Sequence, residues 1–375
     1  MKLLIMAVQF KGGSLQGVVS IIRELLKFSN NEFHIVLSPE VKEQIQNITF
    51  PEHIHLYDLP TKSKNHTINL YLNRCWFSKL ERRLKPDCVL CTSGPLYWKP
   101  KSPCLMGFNL PHHIYRDSPY FDDIDFAART RWFLRRTFHR LYFRREGDAF
   151  FVQTDDVNER FRKYIGRDNV YTVPNTFSVS YRNIEQFSPK LPVRQEGVTR
   201  CLTISAYYPH KNLGIIKKVV DCLEAKGRKD IEFVVTLPQN YYDQLFPASY
   251  KDRIINVSFV PSKEGPSLYE ECDIMFLPTL LECFSASYAE AMIMRKPIIT
   301  SDMGFAHTVC KDAAIYFNPV DAEEITEKLI ALVDDKVLQQ ALVERGSQLL
   351  PQFGTSEDRA KGILDLCEKL VKGEL

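Results

Sequence analysis

At 375 residues the chain is too long for one ordinary core and has the length of two domains of common size. With 45% hydrophobic and 25% charged residues it is not a disordered or low-complexity polymer. A net charge of +3 is too small to argue for a nucleic-acid partner, and none is expected.

The opening MKLLIMAVQF is apolar for only about eight residues, too short to span a bilayer, and lacks a secretory cleavage site. It predicts a first strand, and the ten cysteines then read as reduced thiols of a cytosol rather than a disulfide framework. Gly12 and Gly13 end that strand, where glycine lets a backbone approach a ligand closely. A plain tight turn explains them equally well. The next glycine is Gly17, so the dinucleotide pattern GxGxxG is poorly matched.

The front half then alternates helical GVVSIIRELLKF with short apolar FHIVLS, DCVLCTS, CLMGFNL and AFFVQT. That alternation predicts βαβ units and a parallel sheet. Cys88 and Cys91 form a CxxC inside one predicted strand, where a separation of three points them to opposite faces, so no metal or redox pair is expected. His112 and His113 follow the strand CLMGFNL, at the end where α/β sites gather. Asp123 and Asp125 in FDDIDF read as a solvated acidic loop, and no metal is expected.

Residues 127–146 hold seven arginines and one glutamate. Read as a helix, they place Leu134, Phe138, Leu141 and Tyr142 on one face and Arg129, Trp132, Phe133, Arg136, Arg140, Phe143 and Arg144 on the other. Arginine interleaved with aromatics suits an anionic membrane surface, whereas packing on its own domain or lining an acceptor groove is the plainer alternative. Residues 177–197 lose periodicity and predict a linker, which separates a domain over 1–180 from a second over 195–355.

Strand-like CLTISA, IEFVVTLP, RIINVSFV, DIMFLPT, KPIITSD and AAIYFNP restart the alternation, so a second doubly wound sheet follows. The last helix, 356–375, carries Ile363, Leu364, Leu366, Leu370 and Val371 on one stripe and is expected to cross back to the first domain. Two such sheets predict a ligand cleft at the carboxyl ends of their strands.

The segment LECFSASYAEAM, 281–292, places Glu282 before a predicted helix and Glu290 inside it, with Ser285 or Ser287 as N-cap. The amides of that helix tip offer an anion site. Lys211, in SAYYPHKNLG, follows CLTISA and can bring an ammonium to a leaving phosphate. Capping or solvated glutamates and a surface lysine are the structural alternatives.

The stretch 266–321, with its E-x7-E at Glu282 and Glu290 and the following EAM and KPIITSD, resembles the donor half of the retaining GT-B glycosyltransferases of family 4. YYPHKN, the early glycine pair and VPN at 173–175 extend the resemblance over nearly the whole chain. It implies two Rossmann-like domains facing a cleft, and sugar transfer from a UDP- or GDP-sugar donor to a hydroxyl of a glycan or lipid-linked glycan, without cofactor or metal. By the same resemblance Glu290 would hold the donor ribose, and Glu282 would contact the sugar near the reacting carbon. Phe284, Ser285, Ala286 and Ser287 would present amides to the diphosphate, and Lys211 would stabilise it. Gly12 and Gly13 would lie on the donor-phosphate and acceptor side, and His112 or His113 would touch the donor sugar. The family's arginine five residues before the lysine is replaced here by Ala206. A cytoplasmic enzyme, peripheral at the inner membrane face, is the expectation; a nucleotide-sugar epimerase of the same architecture and a silent partner in a glycan assembly complex are its rivals.

Overall fold

The computed structural model describes residues 1–8, 13–60, 66–182 and 187–375, with only the backbone described for 66–71. It divides into two compact units: Met1–Arg116, Asp125–Pro174 and Thr355–Leu375 form the first, and Asp117–Ile124 with Asn175–Gly354 form the second.

The first unit is a seven-stranded parallel sheet of β1 (Lys2–Ala7), β2 (Glu32–Leu37), β3 (Ile54–Asp58), β4 (Cys88–Cys91), β5 (Cys104–Gly107), β6 (Ala149–Val152) and β7 (Val170–Thr172). Its spatial order is β3-β2-β1-β4-β5-β6-β7. The helices α1 (Gly13–Leu25), α2 (Pro39–Ile45), α3 (His66–Leu84), α4 (Phe126–Glu146) and α5 (Asp155–Ile165) connect the strands. Helices cover both faces of such a sheet, which is why β1, β4, β5 and β6 read as unbroken apolar runs. Local chemistry sets the helix ends: Ser38 caps α2 ahead of Pro39, and Thr154 caps α5, which stops at Gly166 with φ +65°.

The C-terminal helix Ser356–Lys372 starts from a capping box between Thr355 and Asp358. It buries Ile363, Leu364, Leu366 and Cys367 in the same core as Val18 and Ile22 of α1. Leu370 packs at the margin of that core, while Val371, expected on the apolar stripe, is exposed. The buried stripe is thus one residue shorter than the pattern, although Leu375 beyond it again packs on the core.

The second unit contains β8 (Thr199–Thr203), β9 (Ile231–Val235), β10 (Ile254–Asn256), β11 (Ile274–Leu277), β12 (Ile298–Ser301) and β13 (Ala314–Phe317). All pair in parallel in the order β10-β9-β8-β11-β12-β13. Its helices are α6 (Ile215–Ala225), α7 (Gln239–Leu245), α8 (Gly265–Glu271), α9 (Ala286–Ile293), α10 (Gly304–Cys310), α11 (Ala322–Asp334) and α12 (Lys336–Leu349). The chain winds outward from β8 through β9 to β10, then returns to the other side of β8 as β11. The loops after β8 and β11 therefore leave the sheet in opposite directions and open a crevice, the place where doubly wound sheets take ligands.

Two expectations are corrected. The stretch 177–197 is not a bare linker, because Phe177 and Tyr181 are buried within the second unit, and its residues belong to that unit from Asn175 onward. Tyr181 lies so close to Gly265 that a Cβ there would collide with its hydroxyl. The faces of α4 also differ from the expected split. His139, Phe143 and Glu146 are its buried residues, while Phe126, Phe133, Leu134, Phe138 and Leu141 are exposed by half or more. With charge on every side, the helix pattern alone cannot say which seam meets the core. Asp125 caps this helix at Ala128, so the last acid of FDDIDF has a structural role.

Candidate functional site

Lys211 and Glu282 form an ion pair across the crevice between the loops after β8 and β11. They stand 71 positions apart in sequence, and adjacent central strands bring them together. The same two loops are tied by backbone: Leu280 N–H donates to the carbonyl of His210 at 2.8 Å, and the Thr279 hydroxyl donates to it at 3.2 Å. Asn212, in the left-handed region at φ +54°, turns the chain after Lys211 and donates its side-chain amide to Pro319 O at 2.7 Å. The segment Asp117–Ile124 adds a third wall, with the Ser118 hydroxyl on Leu280 O at 2.8 Å and Tyr120 edge-on to the His210 ring. Both charged side chains are largely withdrawn from water, which strengthens their attraction and makes either one costly alone.

Three residues beyond Glu282, Ser285 occupies the N-cap position of α9, but its hydroxyl makes no capping bond. The amides of Ala286 and Ser287 thus open the helix without a side-chain cap, the arrangement that suits an anion. Phe284 packs edge-on against Phe353 beneath this turn. Ser285 and Ser287 are buried.

Glu290 lies in the middle of α9 and keeps partial exposure as a residue, but its carboxyl points inward. Burial pushes that carboxyl up to about 7, although hydrogen bonds from the Tyr181 and Tyr269 hydroxyls pull the other way. Tyr269, on α8, also reaches Ser287 O at 3.2 Å and so fixes the start of α9. Sequence reasoning missed both tyrosines. Tyr181 sits in a polar stretch without periodicity, and only its burial against α8 reveals the contact with Glu290.

Ala206 is exposed, and its neighbours Tyr207 and Tyr208 stack on Tyr241 and His210. Lys211 is therefore the cation that this loop brings to Glu282.

In the first unit the two histidines part company. His113 is buried, with Nε2 3.0 Å from His139 Nδ1, and His139 Nε2 lies 2.9 Å from the Tyr97 hydroxyl. Burial, then the neighbouring His139 and Arg135, lower His113 to about 2, so this relay is uncharged near neutrality. His112 lies flat on the Trp132 indole at 4.5 Å, with partial exposure. Gly12 lies outside the described residues. Gly13 opens α1, and a Cβ there would meet nothing within 4 Å.

Residues 185–349 match the sequence model of the family described as Glycosyl transferases group 1. This region is a group 1 glycosyltransferase domain. Lys211, Glu282 and Glu290 all lie within it. A stretch of 170 residues is 28% identical to the O-antigen chain mannosyltransferase RfbU of Salmonella typhimurium, covering 40% of this chain and 46% of that protein. The match thus spans about half the length of this curated relative. Among solved structures, a glycosyltransferase from Rickettsia africae aligns with TM-score 0.72 at 15% identity, over 99% of this chain and 98% of that one. HepE of Anabaena, in complex with UDP and glucose, aligns with TM-score 0.72 at 14% identity, over 98% and 99%. The sucrose-phosphate synthase of Thermosynechococcus elongatus aligns with TM-score 0.75 at 12% identity, over the full length of both. Each of the two units is a parallel-sheet α/β domain, the pair has the GT-B fold, and the group 1 signature lies within the second unit.

Proposed function

We propose that the protein is a retaining, metal-independent glycosyltransferase that moves a hexose from a UDP- or GDP-sugar to a hydroxyl of a glycan or lipid-linked glycan in surface-polysaccharide assembly. The observation that carries the reading is the Lys211–Glu282 pair at the β8/β11 crevice, directly before the uncapped tip of α9. A donor diphosphate on the tip amides would draw the Lys211 ammonium toward its developing charge, releasing Glu282 to the sugar. Glu290 would accept the ribose hydroxyls in place of the tyrosine hydroxyls. The acceptor oxygen attacks the anomeric carbon on the face the diphosphate leaves, the carbon–phosphate-oxygen bond breaks, and a leaving phosphate oxygen takes the acceptor proton. Glu282 would orient the ring and stabilise its positive character, rather than form a covalent bond. Of the two histidines, His112 is the one assigned to the donor sugar, since the His113 ring is closed into the relay with His139.

The relative RfbU acts on O-antigen chains and HepE binds UDP and glucose, which supports a nucleotide sugar and a glycan acceptor here. The exposed stripe Phe126, Phe133, Leu134, Phe138 and Leu141 is flanked on both sides of α4 by arginines. That arrangement supports peripheral attachment to an anionic membrane, where a lipid-linked acceptor would lie. Among the described residues no helix is long and apolar enough to cross a membrane.

A panel of UDP-, GDP- and ADP-sugars tests the reading. Transfer, or slow donor hydrolysis with retained anomeric configuration, is expected for the wild type and lost in Glu282→Ala. Inversion at C2 of the sugar identifies an epimerase instead, and failure to bind any donor ends the proposal.

A further inference from the structure

At the far edge of the first sheet, Glu32 and His34 alternate on β2 and so project from the same face. His55 of β3 is the direct cross-strand partner of His34, which puts its side chain on that face as well. One atom from each of the three side chains falls within 4.8 Å of the others. His34 Nε2 lies 2.9 Å and His55 Nε2 3.6 Å from the same oxygen, Glu32 Oε1. The two imidazoles lie face to face with centroids 4.7 Å apart.

Those separations are what a shared cation requires. Two ligands at roughly 2.1 Å from a tetrahedral zinc ion stand about 3.4 Å apart, between the two observed distances. The surroundings also match a ligating set. His34 Nδ1 is 2.9 Å from the Tyr57 hydroxyl, an outer partner that fixes the ring and leaves Nε2 to face the glutamate. Lys2 Nζ stands 3.5 Å from the second carboxylate oxygen, Glu32 Oε2, so it steadies the group without occupying Oε1. Tyr57 and His55 sit two apart on β3, hence on one face. Two imidazoles and a carboxylate select a borderline transition-metal ion over magnesium or calcium, which prefer oxygen alone.

The geometry points to a zinc-class metal site at Glu32, His34 and His55, clipping the edge strand β3 to β2, with the fourth position left to water. None of the three belongs to the transfer machinery proposed above, so the site stands or falls independently of it.

The test uses the full chain, treated with chelator, held reduced and titrated with zinc chloride against a chromophoric competitor. His34 is buried and its loss endangers folding, so the variants are His55→Ala and Glu32→Gln, both at side chains more than two-fifths exposed. The wild type is expected to take up one zinc per chain and melt at a higher temperature when loaded. Each variant is expected to keep the wild-type melting temperature without metal and to lose zinc affinity by tenfold or more. Tyr57→Phe, which leaves all three ligands in place, should weaken affinity by about tenfold. A wild type that binds no zinc overturns the assignment. So does zinc uptake that survives both variants unchanged, because the ion would then be held elsewhere, the cysteines being the obvious ligands.

Discussion

Each unit hides a glutamate whose carboxyl burial raises to about 7, yet the two are built for different ends. Glu146 of the first unit accepts the backbone amides of Leu96 at 2.8 Å and Tyr97 at 3.1 Å. Those donors are backbone amides fixed in the chain, so Glu146 is a fastening for the loop before β5. Glu290 of the second unit is held by two tyrosine hydroxyls, and its neighbour Glu282 by the flexible ammonium of Lys211. Hydroxyls and ammonium groups can rotate onto a ligand. A raised carboxyl thus marks burial, while the kind of partner distinguishes structure from a site poised to exchange partners.

The sharpest break of this contrast is at the ion pair. Lys211→Ala and Glu282→Ala should each lower transfer by roughly 10²–10³-fold, the usual worth of one preorganised charge-stabilising group. Each should also destabilise the fold by leaving a partner withdrawn and alone, an effect on the order of a few kcal/mol before allowing for residual solvent contact. The double variant should recover part of that stability in urea unfolding but none of the turnover. Recovery of activity in the double variant would remove both residues from the chemistry.

Glu146→Ala supplies the opposite case. The buried Leu96 amide and the part-buried Tyr97 amide lose their acceptor, so unfolding free energy should drop by about 1–3 kcal/mol for the first and less for the second. Donor affinity, measured on the folded fraction, should stay unchanged.

The pH dependence sharpens the comparison further. For a carboxyl raised from 4.5 to about 7, the native state holds the proton more tightly than the unfolded chain. Stability from this source is complete below pH 4.5 and is lost as pH rises through about 7, amounting to roughly 3 kcal/mol for each group at most. Glu146→Gln and Glu290→Gln should both flatten that fall. Donor binding should separate them: ionised Glu290 accepts two ribose hydroxyls, so wild-type affinity should rise with pH through about 7. Only Glu290→Gln should abolish the rise, seen by calorimetry with UDP and GDP across that range. Tyr181→Phe, which removes one donor to the carboxylate, should move the midpoint of the rise to higher pH.

The smallest effect on folding is expected at Phe133→Ser with Phe138→Ser. These exposed positions should change stability by no more than about 0.5 kcal/mol. Sedimentation with anionic vesicles at low salt should nonetheless fall if α4 is the membrane face, and equal retention would discard that role.

Much of the fold is legible along the chain because parallel strands buried on both faces need unbroken apolar runs, and β1, β4, β5, β6 and β11 supply them. Lys211, Glu282 and the start of α9 could be read from strand ends and small residues. Tyr181 could not, because Phe177 and Tyr181 are buried aromatics set among serine, arginine and asparagine without a periodic signal. The buried seam of α4 was also hidden, since arginines occur all round the helix and two polar residues, His139 and Glu146, face the core beside Phe143.

The sequence by itself determined two alternating α/β units, the placement of Lys211, Glu282 and Glu290 at strand ends and a helix start, and a basic helix over 127–146. Local periodicity and helix-end chemistry act over a few residues, so those features are written where they occur. Tertiary structure alone decided that Lys211 meets Glu282, that Tyr181 meets Glu290, and that His34 lies beside His55. Strand order places the loops after β8 and β11 side by side, strand register sets His34 opposite His55, and packing of a non-periodic stretch brings Tyr181 to Glu290, so pairs 71, 21 and 109 residues apart become neighbours only in the folded chain.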